Sequence, residues 1–283
     1  SNFYIEEDHN YCSLNKLATT ERSGFELYNL SGDVTVSPQK RGIAKLEIKT
    51  PETHLQGRFA FLTNSFEDYG DFLNKVRFDT ELNHSRVQMS DVAYFVPMFL
   101  GYDELVRIDA VVTGPINDML IQGLDLKLKE KTHFHGEVKL PDFSNIKTSD
   151  LALSIDTLVT HMDEVAAFQV PPYDEYHTIA LSKELMTLGE VNVNGAIEGK
   201  INDLGVFVEV SSDVGDVVTN AYLKYKKDIE DYNYYGKVVT NDLALNHLLG
   251  LDQCGTLTAS VNFNGTSFEP DKMDVQFKGS AIQ

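Results

Sequence analysis

Tryptophan is absent from this sequence, and cysteine occurs only at Cys12 and Cys254, far apart in the chain. A disulfide framework needs more cysteines, and a structural zinc site needs Cys or His ligands at close spacing. There is no run of about 18 apolar residues, so no segment is predicted to cross a membrane as a helix. No signal peptide is recognisable either. These absences argue against a disulfide scaffold and a zinc module.

Positive charge is also scarce. The chain has 24 Lys and Arg against 43 Asp and Glu, which gives a formal net charge of −19. Such a chain repels nucleic acid, because phosphate binding needs clustered basic side chains. The simplest explanation of the acidity is solubility. The hydrophobic fraction of 42% is sufficient for a folded core, so we expect an ordered protein.

Strict alternation of apolar and polar residues is the strongest positive pattern. It runs, for example, over residues 106–112, 124–128, 134–140, 206–210 and 257–263. Because successive side chains on a strand point to opposite faces, these segments predict strands with one apolar and one polar face. This pattern favours an all-β fold with a curved antiparallel sheet. Short helices are predicted over residues 66–76, 90–99, 156–168 and 242–251.

The pleat should gather the alternating apolar residues on one inward face. This predicted set is Val106, Ile108, Val112, Leu124, Leu126, Phe134, Val138, Val191, Val193, Val206, Val208, Leu257, Val261, Phe263, Val275 and Phe277. An apolar sheet face must be covered, by a second layer of side chains or by something mobile such as acyl chains. The pattern alone leaves a closed core and an open groove as alternatives.

The sequence also contains an internal repeat. Residues 112–119 (VTGPINDM) match residues 197–204 (IEGKINDL), and a degenerate third copy begins at residue 261. Alternating strands flank each copy, and Gly, Asn and Asp in the repeat are turn residues. The spacing between copies is irregular. We therefore expect a loose repeat-built array of hairpins.

No catalytic or cofactor motif is present. The sequence has no nucleophile elbow, no phosphate-binding glycine loop and no calcium loop. His133 and His135 would share one strand face, but they point away from the inward Phe134 and have no third ligand nearby. We therefore expect neither an enzyme, nor a metal site, nor a cofactor.

The residues from Ser90 onward carry a family resemblance. The segments DVAYFVP (91–97), VRIDAVVTG (106–114), INDM (116–119), THFHG (132–136) and LPD (140–142) resemble the TamB/AsmA-like proteins of Bacteroidota. The stretches DLAL (242–245), GTL (255–257) and VNFNG (261–265) are similar to an AsmA-type repeat. We accordingly divide the sequence into a β-rich segment 1–89, a first repeat segment 90–180 with a leading short helix, and AsmA-like repeats over 181–283.

The resemblance implies an open, taco-like trough with an apolar inside that conducts phospholipids. Family members are anchored in the inner membrane and bridge the periplasm to the outer membrane. Their expected partners are phospholipid acyl chains, barrel-type outer-membrane assembly proteins and the rest of the parent chain, and the inward set would be the lipid-binding surface. Ser1 and Asn2 look like a cloning remnant, so we expect an excised segment of a longer protein.

A second hypothesis remains open. An ordinary β-sandwich with the same alternation would serve as a binding module for glycans or partner proteins. Such a module would expose aromatic clusters, and the strongest candidate in the sequence is Tyr232, Tyr234 and Tyr235. Tyrosine is also common in plain strands, so this cluster alone does not decide between the two.

Overall fold

The computed structural model describes residues 3–5, 10–142, 145, 149–173, 175–227, 231–249, 255–267 and 271–282. Strands account for 64% of the chain and helices for 13%. The strands follow one another in the sheet in the same order as in the chain, and their registers are antiparallel. The all-β antiparallel fold class predicted from the alternation is therefore confirmed.

The chain divides into two compact units. Unit 1 consists of Ser1–Glu130, Glu137–Ser144 and Gln169–His177. Its strands are β1 (Phe3–Ile5), β2 (Asn10–Thr20), β3 (Glu26–Val36), β4 (Lys40–Lys49), β5 (His54–Leu62), β6 (Arg77–Gln88), β7 (Leu105–Pro115) and β8 (Leu120–Leu128). Its α-helices are α1 (Phe72–Lys75) and α2 (Met89–Ala93), and its 3₁₀ helices are Phe66–Asp71, Pro97–Phe99 and Ile116–Asp118.

Unit 2 consists of Lys131–Gly136, Asn145–Phe168 and Thr178–Gln283. Strand β9 (Thr132–Lys139) contributes its first part to unit 2 and its last part to unit 1. The other strands of unit 2 are β10 (Asp150–His161), β11 (Glu190–Lys200), β12 (Asp203–Ser212), β13 (Gly215–Lys226), β14 (Asp231–Ala244), β15 (Thr256–Thr266) and β16 (Asp274–Ile282). Its helices are α3 (Met162–Ala166), α4 (Lys183–Met186) and α5 (Leu245–Leu249).

Two of the predicted helices are shorter than expected. The helix predicted over 156–168 is wrong for its first half, because β10 continues to His161 and only α3 is helical. A register shift between Ile155 and Leu158 breaks the period-two pattern there and imitates helical spacing. The helix predicted over 242–251 is α5 in the described residues, and positions 250–251 lie outside them. The segment 66–75 is helical, as predicted. The helix predicted over 90–99 is two short helices, Met89–Ala93 and Pro97–Phe99, with residues 94–96 between them.

Both full copies of the repeat close a hairpin in the same way. Gly114, before the β7–β8 turn, has a φ of +96°, and Gly199, before the β11–β12 turn, has a φ of +117°. A Cβ atom on Gly114 would lie 2.4 Å from the carbonyl oxygen of Asp118, and one on Gly199 would lie 2.5 Å from that of Asp203. Only glycine combines this conformation with so close an approach of the backbone.

The aspartate of each copy also forms the same kind of ion pair. Asp118 contacts Lys139 on β9 at 3.2 Å, and Asp203 contacts Lys224 on β13 at 2.8 Å. In both cases the lysine lies on the strand that follows the hairpin. The structural repeat therefore extends one strand beyond the matching sequence.

Among the described residues, the buried apolar core is small in both units. The buried hydrophobic residues of unit 1 are Phe25, Leu46, Ala60, Val76, Ala110 and Leu124, and those of unit 2 are Ile155, Met162, Val191, Val214, Leu243 and Ala259. Most of the other apolar strand residues are only half-buried. Each unit thus contains far more apolar sheet surface than it encloses.

Candidate functional site

Among the residues that the strand registers describe, one face of the sheet in unit 2 carries no charged side chain. Residues directly opposite each other in an antiparallel pair lie on the same face, so the strand registers define its members. We call this set the unit 2 apolar face: Leu151, Leu153, Ile155, Leu158, Thr160, Val191, Val193, Gly195, Ile197, Gly199, Leu204, Val206, Val208, Val210, Ser212, Gly215, Val217, Thr219, Ala221, Leu223, Tyr225, Tyr232, Tyr234, Gly236, Val238, Thr240, Leu243, Leu257, Ala259, Val261, Phe263, Gly265, Val275, Phe277, Gly279 and Ala281.

Unit 1 has an equivalent face with a single charged member. The unit 1 apolar face is Asn10, Cys12, Leu14, Leu17, Leu30, Gly32, Val34, Val36, Arg41, Ile43, Leu46, Ile48, Leu55, Gly57, Phe59, Phe61, Phe78, Thr80, Leu82, Ser85, Val87, Val106, Ile108, Ala110, Val112, Gly114, Ile121, Leu126 and Leu128. The guanidinium of Arg41 lies 4.1 Å from the ring centre of Phe66 and 4.0 Å from that of Tyr69. Cation–π stacking on two rings partly offsets the energetic cost of placing the Arg41 charge in apolar surroundings.

Bulges keep each face apolar along its whole width. A one-residue slip would turn every following side chain to the opposite face. In β4 the extra residue is Lys45, in β6 it is His84, and in β14 Asp242 lies at the shift; all three have positive φ angles. Leu46, Ser85 and Leu243 therefore return to the apolar face after each bulge.

The structure places most of the predicted inward residues on these faces. The registers assign Val106, Ile108, Val112 and Leu126 to unit 1, and Val191, Val193, Val206, Val208, Leu257, Val261, Phe263, Val275 and Phe277 to unit 2. Leu124 lies two residues before Leu126 on β8, so the two side chains point to the same face. Phe134 follows Thr132, whose hydroxyl lies 2.8 Å from that of Thr160, a member of the unit 2 face. Val138 lies in the part of β9 that belongs to unit 1.

These predicted residues are only partly shielded from solvent. Leu124 and Val191 are buried, but Phe277 is 71% exposed and the remaining members are half-buried. Side chains in the core of a closed sandwich are packed on all sides and have almost no contact with solvent. Most of the predicted inward residues are therefore more exposed to solvent than the side chains of a filled core would be.

The sequence-based set omitted the middle of the unit 2 face. Strands β13 and β14 contribute Val217, Leu223, Tyr234 and Val238, and none of them was predicted. The signal was present in the alternation of residues 217–223, but it is weakened by Thr219 and Ala221. An apolar sheet face can accommodate small or hydroxyl-bearing side chains such as these. A search for alternating hydrophobic residues does not detect them.

The two apolar faces differ in what covers them. In unit 1 the segment 66–75 packs on one end of the face: the Phe72 ring lies 5.4 Å from Phe61 and 6.3 Å from Phe78. Among the described residues, the recorded ring contacts on the unit 2 face join one strand to another, such as Tyr225 with Tyr232 at 5.2 Å. Part of the unit 1 face is thus covered by its own chain.

The chemistry available on these faces is apolar contact. Among the described residues, no cluster of three or more His, Cys, Asp or Glu side chains could hold a metal ion. His135 contacts Asp156 at 3.0 Å, which makes an exposed pair. The opposite face carries the charges, for example Arg58, which pairs with both Asp79 and Glu81. An apolar ligand on one face and water on the other would satisfy both surfaces.

Comparisons with known proteins add no further assignment. No family model, no curated protein and no solved structure matches the chain. Within the described part of the chain, no helix has the length and hydrophobicity needed to cross a membrane.

Proposed function

We propose that this chain is a non-catalytic segment of a bridge-like protein that conducts phospholipid acyl chains along its apolar sheet faces. The observation that carries the proposal is the unit 2 apolar face, a charge-free surface that spans seven consecutive paired strands and most of whose members are only partly buried. Soluble proteins rarely leave a continuous apolar surface of this kind without an occupant.

Acyl chains suit this surface energetically. Each methylene that leaves water gains roughly 0.8 kcal/mol, and the contact needs no directional polar partner. The face has no side-chain charge that would have to be desolvated. Headgroups would stay outside the apolar surface, so an acidic protein could carry anionic lipids without clusters of basic residues.

The cellular setting of the proposal rests on the resemblance to TamB/AsmA-like proteins. In that setting the parent protein is anchored in the inner membrane, crosses the periplasm and delivers phospholipid to the outer membrane or assists assembly of barrel proteins there. The strand order supports a bridge segment more than a sandwich, because within each unit the described strands form one meander of successive neighbours.

Site-specific photo-crosslinking in cells that make the full-length protein tests the proposal. A photoreactive residue at Ile108 or Phe263 should give lipid adducts, since both side chains lie on an apolar face. Lys127 on β8 is the matched control, because it pairs with Arg107 on the polar face. Equal adducts at all three positions, or none at Ile108 and Phe263 in correctly folded protein, would contradict lipid conduction.

A further inference from the structure

Three aromatic rings form a row across the polar face of unit 2. The ring centres of Phe207 on β12 and Tyr222 on β13 are 5.5 Å apart, and Tyr222 lies 5.2 Å from Tyr235 on β14. Tyr222 and Tyr235 are nearly parallel, with 19° between their planes. Both remain substantially exposed, Tyr235 at 51%. The row is therefore a surface feature on the face opposite the apolar one.

Glycine and strand register build this row. Tyr222 pairs directly with Tyr235 on one side and with Gly205 on the other. Because Gly205 has no side chain, the ring of Phe207 leans over it, and a Cβ atom there would lie 2.8 Å from that ring. The Tyr222 ring stacks against one side of Tyr235, and Phe207 contacts Tyr222 in turn. The other side of Tyr235 faces β15 and β16.

A cavity of about 170 Å³ lies on that free side of Tyr235. It is bounded by strands β14, β15 and β16. Its lining residues are Asn233, Tyr234, Tyr235, Asn264, Gly265, Thr266, Asp274 and Gln276. One aromatic wall and several amide and carboxylate groups thus surround a concave space, and its described lining residues include no Lys or Arg.

Four polar side chains of this cavity, those of Asn233, Asn264, Asp274 and Gln276, lack partners among the described residues. The side-chain oxygen of Asn233 is buried and accepts no hydrogen bond. Buried polar atoms are almost always satisfied, so such an atom points to a ligand or to water. The side chains of Asn264, Asp274 and Gln276 are exposed and form no hydrogen bond or ion pair with the other residues described.

We propose that this cavity binds a neutral pyranose sugar unit of a glycan. The apolar face of the sugar ring would stack on the free side of Tyr235, as other flat ligands stack on aromatic rings. Its hydroxyl groups would donate to Asn233 and Asp274 and exchange hydrogen bonds with Asn264 and Gln276. Tyr235 and the four polar side chains lie on the polar face, and Tyr234 and Gly265 of the unit 2 apolar face complete the lining. The proposal does not depend on lipid conduction.

The composition of the lining distinguishes a sugar from other stacking ligands. A nucleotide or a phosphorylated ligand needs basic groups, which the lining lacks, and the net charge of −19 opposes it further. A purely apolar ligand would leave four polar side chains without partners. A neutral polyhydroxylated ring satisfies the aromatic wall and the polar groups together.

Titration of the purified chain with neutral tetrasaccharides, followed by NMR saturation transfer and by isothermal calorimetry, tests this site. The probes are a β-1,4-linked glucose tetramer and a β-1,4-linked N-acetylglucosamine tetramer. At least one should bind with saturable affinity, and Tyr235→Ala should weaken that binding tenfold or more. Asn264→Ala should weaken it severalfold, whereas Tyr235→Phe, which keeps the ring, should retain it within about twofold.

Tyr28→Ala is the matched control, because Tyr28 is an exposed tyrosine of unit 1 with 52% exposure. It should leave sugar binding unchanged. Circular dichroism of each variant separates a local loss of binding from unfolding. The proposal is overturned if neither tetramer binds at millimolar concentration, or if Tyr235→Ala in the folded protein binds as well as the parent chain. Lipid adducts at Phe263 should persist in the Tyr235→Ala variant, so the two proposals fail independently.

Discussion

Units 1 and 2 have similar apolar faces and very different polar faces. In unit 1 the polar face is a network of ion pairs, including Arg58 with Asp79 and Glu81 and Lys45 with Asp33 at 3.0 Å. In unit 2 the corresponding surface carries the row of rings that ends at Tyr235. The two units thus keep one face apolar while the composition of the other face varies. The constant face is the one that a shared ligand would require.

The units also differ in how their apolar faces are shielded. Segment 66–75 covers part of the unit 1 face through Phe72, whereas Phe277 on the unit 2 face is 71% exposed. Truncation of a side chain on the apolar face should therefore lower the free energy of unfolding more in unit 1 than in unit 2. Four predictions test this comparison.

The largest loss of stability should come from adding a side chain at a backbone-crowded glycine, and it should occur in both units. Gly57 has a φ of +151° and Gly195 a φ of +139°, and a Cβ atom would lie 1.8 Å and 2.0 Å, respectively, from a carbonyl oxygen of the next strand. Gly57→Ala and Gly195→Ala should each lower the free energy of unfolding by about 3 kcal/mol or more, measured by urea denaturation. Gly70→Ala is the control, because nothing lies within 4 Å of its Cβ position. Equal effects of all three substitutions would refute the backbone argument.

Aromatic truncation should separate the covered face from the open one. Phe61→Ala removes a ring that contacts Phe59, Phe72 and Phe78, and it should cost about 2 kcal/mol of stability. Phe277→Ala should cost less than about 0.5 kcal/mol, because most of that ring is already in water. Chemical denaturation of both variants provides the measurement. A large loss for Phe277→Ala would show that the unit 2 face is a closed core.

Loss of an ion pair should have a smaller effect, limited to unit 1. Arg58→Ala leaves Asp79 and Glu81 without their partner, but the guanidinium is 41% exposed, so solvent screens the interaction. We expect a loss below about 1 kcal/mol that shrinks further in 1 M salt. Hydrogen exchange of β5 and β6 amides at low and high salt measures it. Tyr222→Ala in unit 2 should show no salt dependence.

Acidification should produce the smallest loss of stability, and this loss should also be in unit 1. Lys49, His54 and Gln56 hold the pKa of Glu47 at about 2, below its usual value near 4.5. A carboxylate with a lowered folded-state pKa contributes stability that is present above pH 4.5 and is lost as the pH falls towards 2. Hydrogen exchange of β4 at pH 5 and pH 3 should show this loss, and Glu47→Gln should remove it. An unchanged acid response in that variant would exclude Glu47 as its source.

The alternation of apolar and polar residues predicted most of the strands and the apolar face. It could do so because every second side chain on a pleated strand points to the same face. It failed at β10, where the bulge after Ile155 changes the parity of the apolar residues. The tyrosine cluster was also misjudged: Tyr232 and Tyr234 lie on the apolar face, and Tyr235 lies on the polar one. The partners of Tyr235 come from β12 and β13, and only the strand register brings Phe207 and Tyr222 beside it. Sequence spacing within one strand could not reveal that row.

We propose that the unit 2 apolar face holds acyl chains. The most direct test mixes the purified chain with phospholipid that carries a photoreactive diazirine in its acyl tail and maps the cross-linked residues by mass spectrometry. The account predicts adducts on apolar-face residues such as Val208, Val261 and Phe263, and their loss in a folded Val208→Asp variant. Adducts distributed equally over both faces, or concentrated on polar-face residues such as Lys237 and Asn262, would contradict it.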